Sequence, residues 1–281
     1  MGSTPTVKTR SQPIYDSSLA RGSLLYAFTE LMRYRFLLWS LIVKDLKVRY
    51  KRSSLGLVWV MLHPLLTMTV LAVVFSQVFQ YNIKHFTVYL LSGTLLWNLY
   101  AQGTAASMAN LQGNGPILRK LYVPPSVFVA SAIGSALVNF VFTLVPLLLL
   151  TLADGILPAW SWLFLIVPAL LATLFSLGLG LIVASLVVFF TDTYEIYQVI
   201  VMAYYFLTPI FYPANILPQP LRALELYNPM YLFIASFRTV LIQGTLPSPN
   251  QVLPALAISL GVLFLGWSIF TRVEATFVYH F

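Results

Sequence analysis

Charged side chains are unevenly spread along this chain of 281 residues, and long charge-free stretches separate them. Each of these stretches is longer than the roughly 20 apolar residues that cross a bilayer as a helix. Because backbone polar groups find no water inside a bilayer, each stretch is predicted to be helical. The charge-free stretches are 53–83, 85–118, 121–153, 155–191, 196–221 and 239–271. Trimmed at turn residues, the predicted spans are 56–79, 89–109, 126–152, 160–190, 194–212 and 251–272.

The segment before the first span, 36–52, has a different pattern, with apolar and basic positions on opposite sides of one helix. At 100° per residue, Lys44, Lys47 and Lys51 share one side. The opposite stripe consists of Trp39, Ile42, Val43, Leu46 and Tyr50. This pattern is typical of an amphipathic helix lying in the headgroup plane. Its charges either only orient the first span or also meet an anionic lipid-linked substrate or a partner protein.

The segment between the fifth and sixth predicted spans, 213–250, is the longest connection and is punctuated by prolines. Two apolar-periodic pieces, 219–227 and 230–243, are each too short to cross the bilayer. They are predicted to be two short re-entrant helices, 219–243 together, that dip into or lie on the outer face. The connection at 191–194 is predicted to be a tight turn.

Composition and charge agree with a membrane location. The chain is 59% hydrophobic and 9% charged, against about 45–50% and about 25% in soluble domains. Six spans place both termini on one side, and that side carries thirteen of the 16 Lys and Arg residues. The positive-inside rule therefore predicts cytoplasmic tails, 1–35 and 273–281. The predicted fold class is an all-α integral membrane protein, since the period-two alternation of barrel strands is absent.

Candidate catalytic and metal-binding residues are few. There is no Walker A motif, no cysteine, and no ligand spacing among His63, His85 and His280. Glycines Gly178 and Gly180 lie inside a predicted span, where small residues favour close helix packing. We expect neither a cofactor nor a metal in this chain, and no nucleic-acid partner. The chain is not expected to be an enzyme, so a partner would have to supply the energy for any transport.

Aromatic residues make up 15% of the chain and are concentrated in "YQVIVMAYYFLTPIFYP". Aromatic faces with polar tips suit sugar rings, whose C–H faces stack while their hydroxyls form hydrogen bonds. Lipid-facing or packing roles are the alternative for any one of these residues. The candidate channel-lining residues are Tyr100, Tyr204, Tyr205, Phe206, Phe211 and Tyr212.

Several segments together resemble the permease subunits of type-2 ABC exporters, specifically those of polysaccharides and teichoic acids. The resemblance rests on "DLKVRYKRSSLGLVWVMLHPLL", "LLSGTLLWNLY", "GNGPILRKLYVPP", "LTPIFYPANILP", "YNPMYLFIASFRTVLIQG" and the tail "RVEATFVYHF". It covers roughly residues 30–281 in the same order. One departure is "FFTDTYEIYQ", where members of that family usually have an Arg-Asp pair and this chain has Thr191-Asp192.

The resemblance implies a homodimer with a polymer channel at its interface and two copies of a separate ATPase subunit, which would hold ATP and Mg²⁺. The loop 111–125 would be the coupling element, with candidates Gly113, Gly115, Leu118, Arg119, Lys120 and Tyr122. The basic helix would receive an undecaprenyl-diphosphate-linked polymer, with candidates Arg35, Lys47, Arg49, Lys51 and Arg52. The external gate would include Tyr227, Tyr231 and Arg238.

The expected function is therefore export of a lipid-linked polysaccharide such as O-antigen, capsule or teichoic acid across the bacterial inner membrane. One alternative is a type-2 exporter of a small lipid or drug. A second alternative is a membrane-embedded transferase that acts on lipid-linked sugars. The transferase needs acidic or His residues near one membrane face, for which only Asp192 and Glu195 are candidates.

Overall fold

The computed structural model describes residues 31–50, 84–121, 123–213 and 227–280, with isolated positions at 29, 59, 62, 66, 67 and 70. Within these ranges the chain forms helices and turns and no strand. The helices are α1 Arg35–Tyr50, α2 Phe86–Gly113, α3 Gly115–Lys120, α4 Ser126–Ala153, α5 Ile166–Phe189, α6 Thr193–Leu207, α7 Pro229–Gln243, α8 Pro249–Val273 and α9 Phe277–His280. Short 3₁₀ turns, Trp160–Leu165 and Glu274–Thr276, precede α5 and α9.

Three helices are long and apolar enough to cross a membrane: Ser126–Ala153, Trp160–Phe189 and Pro249–Thr276. They correspond to the predicted spans 126–152, 160–190 and 251–272. The all-helical prediction and these three spans are therefore confirmed by length and composition. The total of six spans and the side of each terminus stay predictions.

The other predicted spans differ from these three. The span predicted at 89–109 is the long helix α2, which carries many Ser, Thr, Asn, Gln and Gly residues and falls outside the most apolar class. The span predicted at 194–212 is shorter than expected, because α6 ends at Leu207. Its 15 residues extend only about 22 Å. The span predicted at 56–79 lies almost entirely outside the described residues.

Sequence punctuation explains several helix ends. Pro116 occupies the first turn of α3, where a missing N–H costs little. Asn228 caps α7, since its side chain accepts a hydrogen bond from the Tyr231 backbone N–H. The same helix ends at Gly244, whose φ of 67° is the left-handed conformation that glycine adopts without strain. These local signals mark where α3 begins and where α7 begins and ends.

Helices α2 and α5 are at the centre of the core. Helix α2 packs against α4 and α5, and α5 packs in turn against α8. The two predicted packing glycines serve different partners. A Cβ on Gly178 would lie 2.6 Å from the backbone of Leu263 in α8, whereas one on Gly180 would lie 2.9 Å from Ser107 Oγ in α2. Glycine therefore lets the central helix approach both neighbours closely.

Helix α7 lies in the core of the subunit, and whether the 230–243 piece dips into or lies on the outer face of the membrane stays a prediction. Its side chains Phe233, Ile234 and Phe237 are fully buried. The helix packs against α2, α5 and α8. Its sequence "PMYLFIASFRTVLIQ" is apolar on nearly every side, and such helices are buried rather than interfacial. The first predicted gate helix, 219–227, falls almost entirely outside the described residues.

Helix α1 lies alongside α4 and has two apolar faces rather than one. Ile42 is buried, and its side chain occupies the space above Gly134, where a Cβ would come within 2.6 Å. Trp39, predicted on the same stripe as Ile42, is 61% exposed. Lys44 and Lys47 are exposed, as the amphipathic pattern predicts. One apolar face therefore holds α1 to the bundle, while Trp39 stays free to face lipid.

Candidate transport and coupling sites

The exposed side of α3 forms a small projecting surface at one end of the bundle. Arg119 and Lys120 are exposed, and so are the neighbouring apolar residues Ile117 and Leu121. Among the other predicted coupling residues, Gly113 is exposed and Gly115 is buried. Tyr122 lies outside the described residues. The arrangement presents two cations and two apolar side chains together, which suits contact with another protein.

Leu118 points to the opposite side of α3 and anchors this surface to the bundle. It belongs to a cluster, here named the α3 cluster, that consists of Leu111, Leu118, Phe128, Val129, Leu181, Ala184, Val188, Trp267, Phe270 and Phe277. The cluster joins α2, α3, α4, α5, α8 and α9. Gln112 adds a polar link at the same level, donating from Nε2 to the Val187 carbonyl at 3.2 Å. Displacement of α3 would therefore disturb several helices at once.

The predicted channel-lining aromatics meet at a cluster around Trp97 on α2. The Trp97 ring centroid lies 5.2 Å from that of Tyr100, 5.3 Å from that of Tyr204 and 5.0 Å from that of Tyr205. Trp97 and Tyr100 are buried within the subunit. These separations fall in the range of favourable aromatic pairs. The cluster thus ties α2 to α6, and the signal that revealed it was the aromatic density of the α6 segment.

The hydroxyl groups of this cluster are hydrogen-bonded. Tyr197 donates to Thr104 Oγ1 at 2.7 Å and lies 3.3 Å from the Tyr100 hydroxyl. Tyr204 donates to Asn228 Oδ1 at 2.6 Å, and Asn228 Nδ2 donates to Thr208 Oγ1 at 3.1 Å. The cap of α7 is therefore joined to the end of α6. Buried hydroxyls paired in this way hold a fixed geometry.

The predicted channel-lining residues do not share one surface of the subunit. Phe206 is 58% exposed, Phe211 is buried, and Tyr212 is partly buried, with its hydroxyl donating to the Phe206 carbonyl at 2.8 Å. Tyr204 and Tyr205 are also partly buried. Phe206 is thus the one of the six that faces clearly outward. The channel-lining role stays a prediction for the whole set.

Arg238, predicted at an external gate, is buried in a pocket of main-chain carbonyls. Its Nε and Nη2 donate to the Tyr89 carbonyl at 3.2 and 3.0 Å, Nη1 donates to Pro209 at 3.0 Å, and Nη2 donates to Ile210 at 2.9 Å. The guanidinium carbon lies 3.4 Å from the centre of the Tyr89 ring. Within the described ranges, no carboxylate lies within salt-bridge distance of this cation. Arg238 therefore fastens the turn after α6 to the start of α2.

The other two predicted gate residues differ in exposure. Tyr227 is 79% exposed, and Tyr231 is partly buried in the first turn of α7. Among the described residues, His85 Nδ1 lies 2.7 Å from Asp154 Oδ2, within hydrogen-bond distance. This pair links the start of α2 to the end of α4. No group of three or more His, Asp or Glu side chains suited to a metal occurs in the described residues.

The comparisons with known proteins give the family. Residues 36–242 match the model of the ABC-2 type transporter family. This chain belongs to that family. The transporter chain is 32% identical to the O-antigen export system permease protein RfbA of Myxococcus xanthus over 243 residues, which cover 86% of this chain and 94% of the relative. The resemblance inferred from the sequence is thereby confirmed.

Two further relatives of this ABC-2 chain are named as an export and a transport protein. The O-antigen export system permease protein RfbA of Klebsiella pneumoniae is 29% identical over 83% of this chain and 90% of its own length. The polysialic acid transport protein KpsM of Escherichia coli is 21% identical over 84% and 93%. The chain thus spans nearly the full length of these relatives.

The predicted entry residues of the ABC-2 chain are only partly described. Arg35 is exposed, with its guanidinium carbon 5.0 Å from the centre of the Phe36 ring, and Lys47 is exposed. Arg49 belongs to α1, but its side chain is outside the description, as are Lys51 and Arg52. The entry role of all five stays a prediction.

Sequence reasoning missed Asp45 as a structural residue of α1. Its Oδ2 accepts hydrogen bonds from Asn110 Nδ2 at 3.0 Å and Ser135 Oγ at 3.4 Å. The carboxylate therefore points toward α2 and α4 rather than toward solvent. The available signal was a lone acid within a strongly basic segment, four residues before Arg49.

Proposed function

We propose that this chain is the membrane-spanning permease subunit of an ABC exporter that moves a lipid-linked polysaccharide from the cytoplasm across the bacterial inner membrane. The observation that carries the proposal is the 32% identity, over 86% of this chain, with an O-antigen export permease. Two copies of the chain would form the transporter, with both termini of each copy in the cytoplasm. The cargo would be an undecaprenyl-diphosphate-linked polymer of the O-antigen, capsule or teichoic-acid type.

Energy would come from two copies of a separate ATPase subunit, which bind ATP and Mg²⁺. The permease itself would perform no chemistry. The exposed side of α3, with Arg119 and Lys120, would contact the ATPase, and the α3 cluster beneath it would pass the motion to the helices. This role is supported by the packing of α3, because Leu118 on this short helix shares a cluster with side chains from α2, α4, α5, α8 and α9.

The path of the cargo would begin at the basic helix α1 and end at the outer side near α7. The cations of α1 would attract the diphosphate, since each Lys or Arg near an anionic leaflet contributes about 1 kcal/mol. The aromatics of α6 would contact the sugar chain where two copies meet, and Phe206 is already exposed for such contact. Tyr227, Tyr231 and Arg238 would form or brace the outer gate.

The coupling role of α3 can be tested by reversing its two charges. In a complex reconstituted with the ATPase, Arg119→Glu with Lys120→Glu is expected to abolish export and to lower permease-stimulated ATP hydrolysis at least about tenfold, because an interface of complementary charge becomes repulsive. Lys84→Glu, at an exposed position just before α2, is the matched control and should leave both rates unchanged. Normal export by a double variant that still binds the ATPase would remove α3 from the coupling role.

A further inference from the structure

Helix α1 is held to the bundle on one side and exposed on the other. Ile42 and Asp45 are three residues apart and share the bundle-facing side, where Ile42 packs over Gly134 of α4. Lys44 and Lys47, also three apart, are exposed on the opposite side. Because backbone hydrogen bonds join successive turns of a helix, a force on the two lysines also moves the residues on the bundle-facing side.

Asp45 makes a polar contact between α1 and the last turn of α2. Its Oδ2 accepts a hydrogen bond from Asn110 Nδ2 at 3.0 Å and a longer one from Ser135 Oγ of α4 at 3.4 Å. Asp45 and Asn110 are both partly buried. A hydrogen bond to a carboxylate is about twice as strong as one between neutral groups. This contact therefore ties α1 to the end of α2 more firmly than two neutral side chains would.

From Asn110 the hydrogen bonds continue into α3. The Asn110 carbonyl accepts from Nδ2 of Asn114 at 2.7 Å and from the backbone N–H of Asn114 at 3.2 Å. The Asn114 carbonyl accepts in turn from the backbone N–H groups of Ile117 and Leu118, at 3.0 and 3.1 Å. Asp45, Asn110 and Asn114 therefore form a continuous connection, here named the α1–α3 link, from α1 to the first turn of α3.

We infer that Asp45 is a positioning residue, which makes the placement of α3 depend on what occupies the exposed side of α1. An anionic lipid headgroup, of the bilayer or of the lipid-linked cargo, is attracted to Lys44 and Lys47. Binding there shifts α1, and the α1–α3 link passes the shift to the surface that meets the ATPase. Headgroup binding thereby stimulates ATP hydrolysis. The inference rests on the proposed function, because it requires an ATPase docked on α3.

The test exchanges the two side chains that join α1 to α2. Asn110→Asp places a second carboxylate against Asp45 and breaks the hydrogen bond, whereas Asp45→Asn with Asn110→Asp restores it, because the new amide donates to the new carboxylate. The measurement is ATP hydrolysis by the permease–ATPase complex in phosphatidylcholine nanodiscs, with and without undecaprenyl diphosphate. The probe should stimulate the wild type. Asn110→Asp should lower that stimulation at least about fivefold, a typical coupling between two sites, and the exchanged pair should recover it.

Three controls separate this role from a purely structural one. Asn250→Asp makes the same change at an exposed residue in the first turn of α8 and should keep the wild-type stimulation. Without nucleotide, Asn110→Asp should still bind undecaprenyl diphosphate, because Lys44 and Lys47 are unchanged. Asp45→Ala removes the acceptor without adding a charge, so it should lose the stimulation even if Asn110→Asp fails to assemble.

A second arm replaces undecaprenyl diphosphate with phosphatidylglycerol. Stimulation by both lipids would identify any anionic headgroup as the ligand, and stimulation by undecaprenyl diphosphate alone would identify the cargo. Either result supports the inference when Asn110→Asp and Asp45→Ala remove the stimulation.

The remaining outcomes separate the inference from the function on which it rests. Wild-type stimulation in both Asn110→Asp and Asp45→Ala would overturn the inference alone. So would an exchanged pair that recovers the melting temperature but not the stimulation, since Asp45 would then be a structural anchor only. A wild-type complex that exports polymer but responds to neither lipid would also overturn it and leave the proposed function intact. A complex that neither exports polymer nor hydrolyses ATP faster than the ATPase alone would instead reject the proposed function.

Discussion

Arg238 is held by three main-chain carbonyls and an aromatic ring, so replacing it tests the shape of its side chain as well as its charge. A planar guanidinium can donate in several fixed directions and stack on Tyr89 at the same time. A lysine at the same place keeps the charge but offers a single compact donor group. Gly93 contributes the necessary space, since a Cβ there would lie 2.6 Å from Nη2.

Arg238→Lys is expected to destabilise the subunit by about 2 kcal/mol, since at least one carbonyl is left without its donor. The measurement is the melting temperature of the purified protein in detergent, and melting is monitored as the loss of its monodisperse peak on heating. Arg33→Lys, at an exposed arginine just before α1, should melt with the wild type. If Arg238→Lys melts at the wild-type temperature, the carbonyl pocket does not fasten α2 to the turn after α6.

At the scale of elements, the crossing of α5 and α8 depends on direct backbone contact. Gly178 and Gly266 face each other, and a Cβ on Gly266 would overlap the Gly178 carbonyl oxygen. Neither helix can yield easily, because α5 is also packed against α2. Without a hydrophobic force between helices in lipid, such close packing is a main source of their association.

Gly178→Ala and Gly266→Ala are each expected to cost about 1–3 kcal/mol, the usual penalty for overpacking a fitted interface. Gly261→Ala provides a matched control in the same helix as Gly266, since nothing lies within 4 Å of the added carbon. Melting temperatures of the three variants in one detergent provide the comparison. Three indistinguishable melting temperatures would contradict the close crossing.

The sequence predicts an element well when the element's own composition decides its structure. The span at 160–190 is free of charge and largely apolar, so its composition and length identified it. Helix α6 was predicted five residues too long, because Thr208 and Pro209 end it through a local turn with Ile210 N–H donating to the Thr208 carbonyl at 2.7 Å. The burial of α7 within the subunit was not predicted, because burial depends on partners that a single segment does not reveal.

At the scale of the whole molecule, the candidate sites likewise divide into features that local composition predicts and features that depend on packing between helices. Aromatic density in the α6 segment pointed to Tyr204 and Tyr205, and the structure does bring both to Trp97. The contacts of Asp45 with Asn110 on α2 and Ser135 on α4 were not foreseen, since they require knowing which side of α1 faces the bundle. Such contacts depend on how helices are rotated against one another, and the spacing within one helix does not fix that rotation.

The short helix α9 packs against α3, the predicted coupling helix. Phe277, in α9, is 1% exposed and belongs to the α3 cluster together with Leu118. Its ring centroid lies 5.3 Å from that of Phe270 and 6.1 Å from that of Phe189. The tail is therefore part of the support beneath α3. If α3 transmits force from an ATPase, this support determines how much of that force reaches the helices.

Phe277→Ala should accordingly weaken coupling while leaving the complex assembled. Removing the ring opens a cavity under α3, and a change of this kind costs about 3–5 kcal/mol in a packed core. The expected result is normal ATPase binding with export reduced several-fold per ATP hydrolysed, measured on the reconstituted complex. Tyr279→Ala removes an aromatic ring from the same tail, but that ring is 85% exposed, so its export should equal the wild type. Equal export per ATP in the two variants would mean that the tail only covers the α3 cluster and transmits nothing.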